Sequence, residues 1–298
     1  MSKEKYTNTL NKLSKTGDDR VIKLLGGEPT LHSKLFGLID EALIKGQFVQ
    51  IFTNGVMGKD KIERLSLYGN KVRYTFNVTT PGFQSNKALH TEIIKNIQLL
   101  GRMSEITLSM TIDPFFNHSL FFKTTQSILS RTHNIRIGFA NPIADGKNWY
   151  TFSDFPKMGA ILEEFIKTAR NKGFKGTFTP NCGFTRCMFT DKQYDFIKSQ
   201  ITLSGWGCFG KTSAMDIAVD MSAFHCFPLS NHKRVDLSKI SYKAARIQMM
   251  KERLVLWSKY KKDTCLKCPF YGYGGTKCPG PCIAFRSNES NNPFNNCK

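Results

Sequence analysis

The stretch VIKLLGGEPTLH, Val21 to His32, constrains this chain more than any other. Val-Ile-Lys-Leu-Leu is a short apolar run suited to a buried strand. Gly26 and Gly27 stop it, and without a Cβ they let the backbone bend freely and a ligand approach closely. Glu28 stands at the strand's carboxyl end, and Pro29 fixes φ and withdraws a donor. SKLFGLIDEAL follows, with apolar residues at 35, 36, 38, 39, 42 and 43 and Ser33 placed as its N-cap. The layout is a strand, a glycine turn carrying a carboxylate, and a returning helix, and α/β folds bind ligands at that end of a strand. Phe48-Val-Gln-Ile-Phe repeats it, ending in Thr53-Asn54-Gly55.

Strand and helix signals alternate over the first 180 residues. Strands are expected at 21–26, 48–53, 72–79, 105–112, 135–140 and 175–179. Helices are expected at 2–15, 33–45, 60–68, 85–100, 117–130 and 155–172. Such alternation builds a parallel sheet with helices packed outside it, an α/β class. Polar residues near the carboxyl ends of the later strands, Ser109, Thr111, Asp113 and Asn141, are candidates to face a site, although for any single one of them a loop cap is the better reading.

All nine cysteines follow residue 181, a composition break that divides the chain into 1–180 and 181–298. No run approaches the roughly 18 apolar residues of a membrane helix, and the start, MSKEKYTNTLNKLSKTG, has no signal-peptide core. A cytoplasmic protein is therefore expected, its odd cysteine count pointing to metal ligation or catalysis rather than disulfides. Cys265-x2-Cys268-x9-Cys278-x3-Cys282 has metal-chelating spacing in a Gly/Pro-rich setting. Four thiolates brought together repel unless a metal neutralises them, so binding couples to local folding. Spacing alone leaves structural zinc and an iron–sulfur centre both open.

The net charge of +20 suits an acidic partner such as nucleic acid, although dispersed surface lysines account for it better. The dense basic region is Lys233 to Lys262. Within it Ser241 to Tyr260 reads as a helix with Ile247, Met250, Leu254 and Trp257 on one face. A zinc-binding nucleic-acid module, built from this helix and Cys265 to Cys282, is the non-enzymatic alternative.

GGEP followed by a strand ending in TNG resembles the radical S-adenosylmethionine (SAM) superfamily. The resemblance implies a partial (β/α) barrel over residues 1–180. It implies a cofactor site for SAM from Gly26, Gly27, Glu28, Pro29, Thr53, Asn54, Gly55 and Ser109, the GGEP turn holding the amino group. Members carry a Cys-x3-Cys-x2-Cys loop before this point for the 4Fe–4S cluster that reduces SAM to a 5′-deoxyadenosyl radical. Residues 1–181 contain no cysteine, so a truncated start or a degenerate member is expected, and these 298 residues are not expected to cleave SAM. A degenerate scaffold that binds a partner without radical chemistry is a third reading.

The later cysteine order resembles the SPASM domain, a C-terminal extension that holds auxiliary 4Fe–4S clusters. By order, Cys208, Cys226 and Cys282 hold one cluster, with Cys187 preferred over Cys182 as fourth ligand. Cys265, Cys268, Cys278 and Cys297 hold the other. Met221 stands where that pattern has a glycine, with four residues between it and Cys226, and MDIAVDMSAFHC reads as the hairpin between the first two cysteines. His225 is placed as a donor near Cys226. Members often modify peptides or proteins, so a peptide or protein substrate and a reductant protein are the partners implied.

Overall fold

The computed structural model describes residues 1–14, 21–79, 86–139, 152–181, 183–201, 215–230, 232–260, 263–272 and 277–283. Six parallel strands lie in the order in which the chain makes them: β1 (Val21–Leu24), β2 (Phe48–Thr53), β3 (Val72–Asn77), β4 (Ile106–Ile112), β5 (Asn134–Phe139) and β6 (Thr177–Pro180). The register runs Val21↔Phe48, Val49↔Val72, Tyr74↔Ile106, Thr107↔Asn134 and Asn134↔Thr177. The helices are α1 (Lys3–Ser14), α2 (Leu35–Ile44), α3 (Lys59–Ser66), α4 (Lys87–Leu100), α5 (His118–Thr125) and α6 (Phe155–Asn171). Strands following one another without a switch point, each after a helix, give a partial (β/α) barrel.

Alternation along each strand decides the two faces. Val49 and Ile51, Tyr74 and Phe76, Leu108 and Met110, and Ile135 and Ile137 are buried among the helices. Gln50, Phe52, Arg73, Ser109 and Arg136 alternate with them on the opposite, partly exposed face. The core continues past β6: Phe184, Met188, Phe189, Ile197 and Ile201 join it, from the turn at Arg186–Met188 and helix α7 (Asp191–Gln200).

A second, antiparallel sheet follows, with β7 (Asp216–Ile217), β8 (Ser222–Phe224) and β9 (Val235–Asp236). The hairpin read from the sequence is β7–β8. Helix α8 (Tyr242–Lys259) then packs on this sheet, and α1 fastens it to the barrel: the Lys12 ammonium donates to the carbonyls of Leu237 and, at 3.2 Å, Ile240.

Two local expectations are corrected. Ser33 does not cap α2; Lys34 occupies that position and makes no side-chain cap bond. Pro29 instead starts a single 3-10 turn, Pro29–Leu31, capped by the Glu28 side chain. On α8 the buried residues are Tyr242, Ala245, Met249, Arg253 and Leu256, while Ile247, Met250 and Leu254 are exposed. Apolar and polar residues are interspersed all round the helix, so periodicity alone did not select the face that the small β7–β9 sheet covers.

Met221 is the one non-glycine residue at positive φ, 77°, among the described residues. Its N–H donates to the Ala218 carbonyl at 3.1 Å and its carbonyl accepts from Leu237 at 3.0 Å. The side chain is buried with Ala223, Val235, Leu237, Ala245 and Met249, and its sulfur accepts from the Thr9 hydroxyl at 3.2 Å. A left-handed backbone costs about 1–2 kcal/mol, against about 2–5 kcal/mol lost when a buried Met is cut to Ala. Met221→Ala loses the packing and keeps the strain; Met221→Gly loses the packing and relieves it. Both variants should unfold at lower urea than the parent, with Gly above Ala by about 1 kcal/mol. An Ala variant as stable as the Gly variant would show that this turn is not left-handed in solution.

Candidate functional site

Glu28 joins the two glycine turns at the carboxyl ends of β1 and β2. One carboxylate oxygen accepts from the Thr30 N–H at 3.1 Å, the Thr30 hydroxyl at 2.7 Å and the Thr53 hydroxyl at 2.8 Å. The other accepts from the Asn54 N–H at 2.7 Å. The Thr53 hydroxyl in turn accepts from Gly55 N–H at 3.0 Å, and the Asn54 side chain accepts from Val56 N–H at 2.9 Å. Every member of GGEP–TNG thus has a local task. Gly26 and Gly27 hold φ of 98° and 56°, are exposed, and have open space where a Cβ would stand. Gly55, at φ 84°, has no such room: a Cβ would lie 2.8 Å from Ile93 and 3.0 Å from Phe76.

Two contributors went unread in the sequence. Buried Asn96 on α4 donates to the carbonyls of Gly55 at 2.9 Å and Met57 at 3.1 Å, which fixes the loop after TNG. Arg136 on β5 donates to the Ser109 hydroxyl at 3.1 Å and to the Asn181 side-chain oxygen at 2.6 Å, with its guanidinium 5.4 Å from the Phe52 ring centre. Its signal was a lone arginine between the buried Ile135 and Ile137, which places it on the open face. Ser109 therefore lies on that face with a fixed hydroxyl. Thr111 is exposed. The Asp113 side chain accepts from Phe115 N–H at 2.8 Å and caps its own loop. Asn141 lies outside the described residues.

Cys282 packs both against the barrel core, which holds Cys278, and against the small cluster that Cys226 touches. Cys226 and Cys282, both half-buried, pack against Leu229, Leu256 and Ile283. Cys278 is buried in the barrel core, and its sulfur accepts the Arg186 N–H at 3.4 Å, one residue before the exposed Cys187. Atoms crowded round the Cys187 sulfur push its thiol up from the ordinary range; the Thr185 hydroxyl pulls it down, and Cys278 and Cys268 add to the rise. Cys265 and Cys268 close one turn, Cys268 N–H donating to the Cys265 carbonyl at 3.0 Å. Trp257 of α8 stacks on Tyr271, ring centres 5.5 Å apart, and donates to the Pro279 carbonyl at 2.9 Å, so the cysteine-rich segment is braced by the helix. Arg253 of that basic helix points inward and is buried.

Among the described residues no three His, Cys, Asp or Glu side chains are gathered closely enough to hold one metal ion. Cys182, Cys208 and Cys297 lie outside those residues. Beside Cys226, both ring nitrogens of buried His225 have no hydrogen-bond partner among the described residues. Burial, with Arg253 and His232 nearby, pushes its pKa down to about 4. A neutral imidazole with both nitrogens buried leaves a polar demand at that spot that the described residues do not meet.

No described helix is long and apolar enough to cross a membrane. The model of the Radical SAM superfamily matches residues 1–119. No curated protein matches the sequence. Among solved structures, Streptococcus suis SuiB bound to S-adenosylmethionine aligns with a TM-score of 0.68 at 13% identity, over 97% of this chain and 68% of that one. SuiB crystallised as such gives 0.66 at 13% identity, over 97% of this chain and 69% of that one. SuiB bound to its precursor peptide SuiA gives 0.64 at 12% identity, over 97% and 67%. At that identity the likeness is one of fold. Residues 1–119 are thus similar to the Radical SAM superfamily, and the six-stranded sheet that they begin shares its fold with SuiB.

Proposed function

We propose that this chain binds SAM at the GGEP–TNG turns and presents it to a peptide or protein substrate, as part of a radical SAM enzyme with a SPASM-like cysteine-rich region. The Glu28 lock is the observation that carries the reading. A carboxylate with four donors holds two turns in one geometry, and the exposed Gly26–Gly27 backbone is left open to a small ligand. In this reading Glu28 is a positioning residue, and the glycine turn supplies the ligand-facing surface for the amino group. Ser109, oriented by Arg136, offers a fixed hydroxyl on the open sheet face. Bound SAM would be the source of a 5′-deoxyadenosyl radical only when a reduced 4Fe–4S cluster passes it an electron.

A peptide substrate is supported by the SuiB structure with its precursor peptide, which shares this fold. The auxiliary-cluster reading is supported by the cysteine order and by the unmet polar demand at His225. A reductant protein and a cytoplasmic setting belong to the same reading, since thiols destined for clusters need a reducing compartment.

Calorimetry with SAM tests the site. Gly27→Val places a β-branched residue at a left-handed φ, which reshapes the turn. Affinity is expected to fall at least about tenfold, roughly 1.4 kcal/mol. Equal affinity in parent and variant would remove the assignment.

A further inference from the structure

Helix α8 carries apolar residues on two sides, and the fold covers one of them. Ala245 and Met249 lie under the β7–β9 sheet, and Leu256 packs on Leu229 and Ile283. On the outward side Ile247, Met250, Leu254 and Val255 are 46%, 41%, 40% and 59% exposed. Positions 247, 250 and 254 follow the i, i+3, i+7 spacing of one helix face, and Val255 widens it. The same side carries charge of one sign. Lys243 and Lys251 stand four residues before and after Ile247, and Lys259 stands four after Val255, so each lies one turn from an apolar neighbour. All three lysines are exposed, and none makes an ion pair among the described residues. Glu252, the one acid of the helix, is half-buried and stands off this stripe.

We infer that this stripe is a docking face for an acidic amphipathic helix of a partner protein. A helix suits it because apolar residues at one per turn form a ridge that seats between the rows of a second helix, about 8–10 Å away axis to axis. Acidity follows from the lysines. Asp or Glu beside the partner's apolar residues would meet Lys243, Lys251 and Lys259, which steers the encounter and sets the register. A second copy of this chain is disfavoured by the same charges. The stripe runs from Ile247 to Val255, so a two-fold pairing centred on it is centred on Lys251. That pairing sets Lys251 against its own equivalent and Lys243 against the equivalent of Lys259, like charge on like. An anionic bilayer is the poorer fit. Helices that lie on membranes set aromatic residues on their apolar face, whereas α8 buries Tyr242 and stacks Trp257 on Tyr271. A stripe on one helix buries little area, which suits a transient partner. The face includes neither the GGEP–TNG turns nor any cysteine, so the inference stands apart from the SAM reading.

Fluorescence anisotropy of the full chain with a synthetic probe tests this. The probe is a labelled helix-forming peptide with leucines at i, i+3 and i+7 and glutamates around them. Saturable binding in the range of about 10–100 μM is expected. Leu254→Ser and Lys251→Glu should each weaken it by at least about tenfold, and a probe with lysine in place of glutamate should not bind. Both side chains are exposed, so both variants should melt with the parent. If Leu254→Ser melts early, Lys251→Glu and the lysine probe decide. No saturable binding up to about 1 mM overturns the inference. Equal affinity in the parent and Lys251→Glu also overturns it, because the probe then binds elsewhere. Sedimentation and vesicle binding identify the other occupants. A dimer of the chain that Leu254→Ser dissolves, with no probe bound, gives the stripe to a second copy and overturns the proposal. Phosphatidylglycerol vesicles held by the parent but not by Leu254→Ser, again with no probe bound, give it to a bilayer and overturn it equally.

Discussion

Gly159→Ala is expected to destabilise the protein by about 3 kcal/mol or more. Gly159 lies on the buried face of α6, where an added Cβ would stand 1.9 Å from the Met188 carbonyl oxygen, 2.9 Å from its carbon and 3.1 Å from the Phe189 ring. Two of these atoms are backbone and cannot rotate away, so the helix and the Arg186–Met188 turn must separate. The melting temperature should fall by roughly 6–12 °C, taking about 2–4 °C per kcal/mol for a large domain. Gly37→Ala is the control. It is exposed within α2, with open space at its Cβ position and no positive φ, and should gain up to about 1 kcal/mol. Thermal and urea unfolding of both variants check the pair. A Gly159→Ala protein that melts with the parent would mean that α6 and the 185–188 turn do not pack as described. The same separation should loosen Arg186 and Cys187, since both belong to the displaced turn.

Glu28→Ala is expected to cost about 2–4 kcal/mol of stability and more than a tenfold loss of SAM affinity. Hydrogen bonds to a charged acceptor contribute about 1.5–3 kcal/mol each and do not add, because the four donors share one carboxylate. Thr30 is fully buried and Thr53 nearly so, so water cannot replace the carboxylate at every donor. Glu28→Gln should fall between: its amide keeps one acceptor oxygen, and its NH2 meets an N–H or O–H that also needs an acceptor. The order parent, Gln, Ala should appear in both urea unfolding and calorimetry. Unchanged SAM affinity in Glu28→Ala would separate the lock from the ligand site and leave Glu28 a purely structural residue.

Most of the barrel was legible in the sequence because its signals are local. The 48–53 strand and the 155–172 helix are written in apolar periodicity, and the structure places them at Phe48–Thr53 and Phe155–Asn171. The GGEP and TNG turns were legible as turns at the carboxyl ends of β1 and β2 for the same reason. That Glu28 spends its carboxylate on joining them was not, since Thr53 and Asn54 stand 25 and 26 residues away. The hairpin between Cys208 and Cys226 was implied by the resemblance to the SPASM pattern, yet the tolerance of Met221 at a left-handed φ depends on a pocket assembled from β8, β9, α8 and Thr9 of α1. Periodicity chose Ile247, Met250 and Leu254 as the packed face of α8, and the small sheet covered Ala245 and Met249 instead.

The sequence by itself determined the strand–helix alternation, the two glycine turns and the inventory of thiols, because each is a property of neighbouring residues. Only the tertiary structure decided that Cys278 lies in the barrel core, which face of α8 is covered, that Arg136 orients Ser109, and that Gly159 must lack a side chain. Each of these is set by atoms many residues apart meeting at contact distance, Gly159 against Met188 and Arg186 against Cys278 among them, and no local pattern encodes such a meeting.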